Sequence, residues 1–382
     1  MRFLAALVIL IFSVAAPAQE YAREQIIGSL EVVATFDGPM PTGVTVAKDG
    51  RIFVNFPRWG DAVEYTVAEV KDGKTIPYPN AEMNQYAPGD HGPGRFISVQ
   101  SVVVDPSGSR LWVLDTGSVA FGRVPPGGAK LLGVDLATNR VVKEIIFPPD
   151  VVLSTSYVND VRFDLRRGKE GMAFITDSSS SGPNGIIVVD LASGNSWRRL
   201  HDHRSTKPDP EFVPVVEGEI MQMRLPGQAP AKFAVGSDGI AMSPDGRTLY
   251  YCPLTSRHLY SVSVDALADQ SRPDTEVAAT VKDLGEKGGA SDGLESDAQG
   301  RVYLSDYEHN AIRRRSAGGE IETLAHDPRM LWPDTLSLAA DGYLYFTANQ
   351  VERQAVFHNG KDLRQKPYLL FRLKVEGTRI QP

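Results

Sequence analysis

Cysteine is almost absent from this chain, with Cys252 the one example among 382 residues. That count excludes an internal disulfide framework, a cysteine-rich zinc site and a CxxC redox motif. Positive charge is not in excess either, because 40 lysine and arginine residues face 47 aspartate and glutamate residues, for a net charge of −7. Since neutralising phosphates requires a basic face, we expect no nucleic-acid partner.

Long hydrophobic runs are scarce, and the one present is at the N-terminus. Phe3 to Ala15 is apolar except for Ser13, follows Met1-Arg2, and precedes Ala16-Pro17-Ala18, a typical small-residue cleavage site. The run is shorter than the roughly 20 residues that cross a bilayer. We therefore predict a signal peptide over residues 1–18, a single mature domain over 19–382 with no membrane span, and a periplasmic or secreted location.

One pattern recurs six times: a small polar pair, alternating apolar residues, a tight turn containing glycine, and a strand with an aromatic residue. TGVTVAKDGRIFV and DGLESDAQGRVYLSD are two examples, and the copies begin at residues 42, 100, 159, 238, 292 and 334. Alternation with period two on both sides of such a turn predicts a β-hairpin.

A second hairpin follows several copies, as over residues 131–147 and 186–200. Six repeats of four strands predict an all-β fold, a six-bladed β-propeller with four-stranded antiparallel blades. Strands over 30–36 and 368–375 are expected to share one blade, which closes the ring and removes free sheet edges. The repeats exceed the roughly 40–45 residues of a compact blade, so long loops are expected, including 116–130 and 201–235.

The polar pairs begin the innermost strands and should surround one mouth of the central channel. This predicted ring comprises Thr42, Gln100, Asn159, Asp160, Asp238, Asp292 and Asp334. Converging carboxylates repel one another unless they are protonated, hydrogen-bonded or bound to a cation. Oxygen ligands without clustered cysteine or histidine suit Ca²⁺ or Mg²⁺, which Asn159, Asp238 and Asp292 could hold. Alternatively, these side chains cap strand ends and no cofactor is bound.

Asp238 and Asp292 are also candidate catalytic bases. Each is followed by a glycine, which would let a ligand approach closely. Aromatic residues at the ends of inner hairpins could stack on a planar ligand or simply fill the core between blades. They are Phe56, Trp59, Trp112, Trp332 and Phe346.

Several of these aromatic residues belong to phrases that resemble the bacterial branch of the major royal jelly protein and yellow family. The phrases include RIFVNFPRW at 51–59, YVNDVRFD at 157–164 and LYFTANQ at 344–350, and they run in order from about residue 30 to 375. The resemblance implies a secreted six-bladed propeller, and some salivary relatives bind biogenic amines at the channel mouth. It places Thr335, Phe346 and Asn349 at such an amine pocket.

A more distant likeness connects the chain to the calcium-dependent gluconolactonase and regucalcin group, which is also six-bladed. That likeness implies an ion held by Asn159 together with Asp238 or Asp292. This chain departs from the group at the first blade, where Thr42-Gly43 stands in place of the group's early glutamate.

The leading hypothesis is a monomeric, exported propeller that binds a small polar or aromatic molecule at the channel mouth. Asn159, Asp160, Asp334, Thr335, Phe346 and Asn349 are its predicted ligand contacts. One alternative is a metal-dependent lactonase with Asp292 or Asp238 as general base, and another is a protein-interaction platform. The sequence alone leaves open whether the protein is an enzyme.

Overall fold

Six four-stranded antiparallel sheets form the fold, a β-propeller, in a computed structural model that describes residues 24–89 and 94–381. The predicted signal peptide over 1–18 lies outside the described residues. The strands of blades 1 to 3 are Val44–Val46, Ile52–Asn55, Val67–Lys71 and Lys74–Pro77; Val99–Val104, Arg110–Asp115, Lys130–Asp135 and Arg140–Ile146; and Val158–Asp164, Met172–Asp177, Gly185–Asp190 and Ser196–Arg199.

Blades 4 to 6 repeat this arrangement and complete the ring. Their strands are Ser237–Met242, Thr248–Pro253, His258–Ser263 and Lys282–Glu286; Ser291–Ser296, Val302–Asp306, Ala311–Arg315 and Ile321–His326; and Pro333–Leu338, Tyr343–Ala348, Tyr368–Lys374 and Leu30–Phe36. In blade 6 the N-terminal strand pairs antiparallel with the C-terminal one, so that Leu30 faces Leu373 and Phe36 faces Tyr368. The predicted propeller and its closure are therefore confirmed.

Each blade is apolar on both faces because each face packs against a neighbouring blade. The buried apolar side chains accordingly form six clusters in the described residues, one between each pair of adjacent blades. Trp112 packs against Phe163 between blades 2 and 3, with ring centroids 5.2 Å apart. The innermost strands meet one another around the central channel.

Helices are few and short. The α-helices are Ala81–Asn84, Val264–Ala268 and Asp274–Ala278, and the 3₁₀ turns are Val351–Arg353 and Ala355–Phe357. None of the helices in the described ranges is long and apolar enough to cross a membrane. The expected long loop over 201–235 forms two small hairpins, Val215–Val216 with Glu219–Ile220 and Gln222–Met223 with Ala231–Lys232.

The C-terminal tail runs across one end of the channel. The Thr378 carbonyl accepts a hydrogen bond from the Ala298 amide at 2.8 Å, and the Arg301 side chain donates to the Glu376 carbonyl at 2.7 Å. Arg379 donates to carbonyls of blades 1 and 2, at Val46 and Val104. We call this the closed end of the channel, and the opposite end the mouth.

Candidate functional site

A β-bulge lies at the polar pair in five of the six innermost strands. Register shifts between the first two strands of a blade occur at Val99/Ser101, Val158/Val161, Ser237/Ile240, Ser291/Leu294 and Pro333/Leu336. A bulge leaves residues unpaired and re-aims their side chains. Gln100, Asn159, Asp238 and Asp292 therefore reach the cavity at the mouth of the channel.

The glycines after Asp238 and Asp292 allow neighbouring inner strands to touch. A Cβ atom added at Gly239 would lie 2.4 Å from the Asp292 carbonyl oxygen, and one at Gly293 would lie 2.4 Å from the Asp334 carbonyl oxygen. The expectation that these glycines leave room for a ligand is wrong, because the backbone of the next blade fills that space. Their effect is to bring Asp238, Asp292 and Asp334 together, and we call these three side chains the acid cluster.

Neutral donors contact each member of the acid cluster. Asn159 donates its amide to Asp238. The Trp332 indole donates to Asp292 at 2.7 Å, and Asn349 donates to Asp334 at 2.6 Å. Trp332 is held in place by Tyr307, whose ring is parallel to it within 10° at a centroid distance of 4.0 Å.

Burial makes ionisation of the acid cluster costly. Removal from water, opposed in part by the Trp332 hydrogen bond, raises the pKa of Asp292 to about 6. The pKa of Asp238 and that of Asp334 are also raised well above the usual range, first by burial and then by the neighbouring Asp292 carboxylate. At neutral pH the cluster therefore retains protons unless a positive charge arrives beside it.

A cavity of about 630 Å³ opens above the acid cluster. On one side Trp59 and Phe121 stack with ring centroids 5.0 Å apart, and Tyr157 lies 5.3 Å from Phe121. The facing wall carries Phe233 and Phe357, which meet edge to face at 5.2 Å. Aromatic walls above buried carboxyls suit a ligand with an apolar body and a polar or positive end.

Several predicted site residues lie elsewhere. Asp160 points along the channel, accepting from Ser101 at 2.8 Å and pairing with Arg162 at 2.9 Å. Thr335 lines a small cavity at the closed end. Phe346 is fully buried between blades 5 and 6, with its ring centroid 5.5 Å from that of Phe371. The cavity at the mouth is not lined by these three side chains.

The remaining predicted contacts are closer to the mouth. Asn159, Asp238 and Asp292 line the cavity, and Trp59 and Trp332 do so among the aromatic candidates. Asn349 and Asp334 bond to each other beneath it. Phe56 and Trp112 are buried in the cores between blades. The binding roles of all these residues stay predictions.

Four aromatic contributors were not among the candidates: Phe121, Tyr157, Phe233 and Phe357. Phe121 and Phe233 lie in the two loops that the repeat length marked as surplus, 116–130 and 201–235. Surplus length was therefore the signal available for these two residues. Nothing in the local sequence shows that these two loops face the same mouth.

The acid cluster does not fit the predicted Ca²⁺ or Mg²⁺ site well. Hard cations require oxygen ligands, whereas N–H groups of Asn159, Trp332 and Asn349 point at the three carboxyls. Among residues 24–89 and 94–381, no group of three or more histidine, cysteine, aspartate or glutamate side chains has an arrangement able to hold a metal ion. The metal ligands Asn159, Asp238 and Asp292 remain predictions.

Comparison with known proteins agrees with this architecture. The model of the family described as "Major royal jelly protein" matches residues 97–376. Protein yellow of Drosophila erecta is 27% identical over 269 residues, which cover 66% of this chain, and that of Drosophila madeirensis is 28% identical over the same length. The matched segment spans less than half of these curated relatives, 46% and 44% of their lengths.

Solved structures similar to this chain are also propellers. A calcium-binding protein, regucalcin, from Agrobacterium tumefaciens has a TM-score of 0.55 at 15% identity, covering 92% of this chain and 97% of its own. A luciferin-regenerating enzyme has a TM-score of 0.54 at 12% identity, covering 93% and 99%. At such identities the likeness is one of fold alone.

Proposed function

This chain belongs to the major royal jelly protein family, and we propose that it binds a small protonated amine with an apolar body at the mouth of its channel. The observation that carries the proposal is the acid cluster at the floor of an aromatic-walled cavity. Its hydrogen-bond donors are an indole, two amides and the Thr335 hydroxyl, all of them neutral.

The electrostatics favour a cation over a neutral or anionic ligand. Desolvation raises the pKa of the buried carboxyls because it disfavours their ionised form. A positive charge that binds beside them stabilises that ionised form. An ammonium group beside Asp238 and Asp292 would supply both the charge and N–H donors. An anion would meet the same carboxyls without compensation.

The resemblance noted in the sequence points the same way, since some salivary relatives bind biogenic amines at the channel mouth. The leader predicted over 1–18 adds that the chain is exported and meets its ligand outside the cytoplasm.

The test is a calorimetric titration of the purified chain with 2-phenylethylamine at pH 7.5. We expect Asp292→Asn and Asp238→Asn each to weaken binding at least tenfold, because each removes a carboxylate that faces the cavity. Glu322→Gln is the matched control, since its carboxylate lies on the outside of blade 5 and pairs with Arg314. If both site variants keep wild-type affinity, the amine proposal is wrong.

The affinity should also depend on pH in one direction. The amine stays protonated throughout, whereas Asp292 must lose its proton near pH 6. Below that pKa, affinity should fall up to about tenfold per pH unit, or roughly tenfold between pH 7 and pH 5. An affinity that is constant over this range would contradict a role for Asp292.

A hydrolase remains a second candidate because of one observation. Asp292 lines the cavity and has its pKa raised to about 6, which suits a general base near neutral pH. Turnover of a sugar lactone by the wild type, lost in Asp292→Asn, would support it. Thermal unfolding with Ca²⁺, Mg²⁺ or a chelator tests the ion, because saturating ligand at 100 times its Kd adds about 2.7 kcal/mol of stability.

A further inference from the structure

A second cavity, of about 410 Å³, lies outside the six blades, and we call it the side cavity. Its lining residues come from the small hairpins of the 201–235 loop and from the segment 352–365. These two segments are fastened to each other through their backbones. The Arg224 amide donates to the Val356 carbonyl at 2.8 Å, and the Asn359 amide donates to the Arg224 carbonyl at 2.8 Å. The side cavity is therefore built by chain that the propeller itself does not require.

The side cavity is lined by Glu352, whose carboxyl group is buried without a hydrogen bond. The residue is 6% exposed, and neither Oε1 nor Oε2 has a hydrogen-bond partner in the described part of the chain. Burying a carboxyl group in this way is costly, and buried polar groups in folded proteins are nearly always bonded. The carboxyl of Glu352 therefore marks a place that a donor from outside the chain would complete.

The basic side chains next to Glu352 in the chain are engaged with other acceptors. The guanidinium of Arg353 donates to Glu217 through Nε at 2.8 Å and through Nη2 at 2.5 Å. Its Nε lies 3.8 Å from Oε1 of Glu352, which is too far for a hydrogen bond. Nε2 of His358 lies 2.9 Å from the backbone carbonyl oxygen of Glu352, so this ring holds the backbone and not the carboxyl group.

Burial also keeps the Glu352 carboxyl group protonated at neutral pH. Removal from water raises the pKa of Glu352 to about 8, and the nearby Glu217 carboxylate contributes to the rise. A cation that binds beside the carboxyl group would favour its ionised form. The other titratable and charged groups that line the side cavity are Glu217, Glu219, Arg224, Arg353 and His358.

We infer that the side cavity is a second ligand site, which binds a guanidinium group against the Glu352 carboxylate. Two unpartnered oxygens on one carboxylate match the paired N–H groups of a guanidinium, which binds carboxylates through two parallel hydrogen bonds. The walls include the apolar side chains of Val216, Met221 and Phe357, and a guanidinium is more weakly hydrated than an ammonium. The group can come from a free guanidino compound or from an arginine side chain of a peptide. This site does not depend on the function proposed for the mouth.

The test is a calorimetric titration of the purified chain at pH 8.5 with butylguanidinium and with butylurea, which are similar in shape and differ in charge. We expect wild type to bind butylguanidinium at least about tenfold more tightly. Glu352→Gln should lose this preference, and Glu352→Asp, which keeps the carboxylate but withdraws it by one methylene, should lose part of it. Both variants should keep the wild-type unfolding temperature, because no hydrogen bond of the fold is removed.

Two controls separate the side cavity from the rest of the molecule. Glu322→Gln, on the outside of blade 5, should leave the butylguanidinium affinity unchanged. Glu352→Gln should bind 2-phenylethylamine as wild type does, because Glu352 does not line the mouth. If Glu352→Gln binds butylguanidinium as tightly as wild type, the inference is overturned. If wild type binds butylguanidinium but not 2-phenylethylamine, the side cavity stands and the function proposed for the mouth fails.

The pH dependence gives a second measurement. Because Glu352 must ionise to pair with the ligand, wild-type affinity for butylguanidinium should rise on the order of tenfold between pH 6.5 and pH 8.5. Glu352→Gln should lose this rise, and a constant wild-type affinity would contradict the inference. Nα-acetylarginine methylamide distinguishes the two sources of the group. Binding at least about tenfold tighter than butylguanidinium supports a peptide side chain, and equal or weaker binding supports a free guanidino compound.

Discussion

The two ends of the channel differ in the groups that face their buried carboxylates. Arg162, which lines the small cavity at the closed end, pairs with Asp160 at 2.9 Å and also donates to the Leu294 carbonyl at 2.6 Å. Glu295 lies beside Arg162 and Arg379, so positive groups face the buried acids there. At the mouth, the donors that contact the acid cluster within the described part of the chain are all neutral.

The difference separates structural from functional use of the same residue type. Acids that find a guanidinium within the fold complete the architecture, and the cavity left beside them is only about 80 Å³. Acids left without one retain a capacity to bind a cation, and they lie beneath about 630 Å³ of space. Sequence proximity does not reveal the distinction, because Asn159 lines the cavity at the mouth, whereas Asp160, the next residue, pairs with Arg162.

The largest effect should follow from breaking the ion pair at the closed end. Arg162→Met leaves Asp160 buried without its partner, which we expect to cost about 3–5 kcal/mol in urea unfolding. Lys207→Met is the control, because its pair with Asp202 is exposed and should contribute less than about 1 kcal/mol. A loss below 1 kcal/mol for Arg162→Met would mean that the closed end does not depend on charge pairing.

A smaller effect is expected from the tail that covers the closed end. Arg379→Ala removes bonds to the carbonyls of Val46, Val104 and Asp105, and should destabilise the fold by about 2 kcal/mol. The affinity for 2-phenylethylamine should not change, since Arg379 lies at the opposite end from the acid cluster. A tenfold change in affinity would show that the two ends are coupled and would break the comparison.

The smallest effect is expected at the mouth of the channel. There the substitution should lessen the loss of stability as pH rises, whereas the two substitutions above destabilise the fold. Folded Asp292 retains a proton that the unfolded chain releases, so the stability it contributes is present below about pH 4 and is lost as pH rises through 6. Asp292→Asn removes this ionisable group, and the unfolding free energy should therefore decrease less between pH 5 and pH 8, by roughly 1 kcal/mol. Parallel pH profiles of variant and wild type would contradict this account.

The repeat pattern was sufficient to predict the architecture because the same local sequence pattern forms each blade. Period-two alternation around a glycine turn specifies a hairpin, and strands apolar on both faces must pack between neighbours. The pairing of 30–36 with 368–375 was also predicted, since an unpaired strand at each terminus would leave open edges. Aromatic residues such as Trp112 and Phe346 are buried in the cores between blades.

The site was only partly predictable. Asp238 and Asp292 were identified from their place in the repeat, and they line the cavity. The direction of Asp160 depends on Arg162 and Ser101, and Ser101 lies in the neighbouring blade. Phe121 and Phe233 come from loops without periodicity, 116–130 and 201–235, where only chain length was informative.

The amino-acid sequence by itself determined the number of blades, their strand order, the closure of the ring and the place of Gln100, Asn159, Asp238 and Asp292 at the mouth. Those features arise from local alternation and from turns repeated six times. The tertiary structure alone decided which acids are neutralised, which aromatic residues face the cavity and which end of the channel is closed. These depend on contacts between residues far apart in the chain, such as Arg379 with Val46 and Trp332 with Asp292, and no local pattern encodes them.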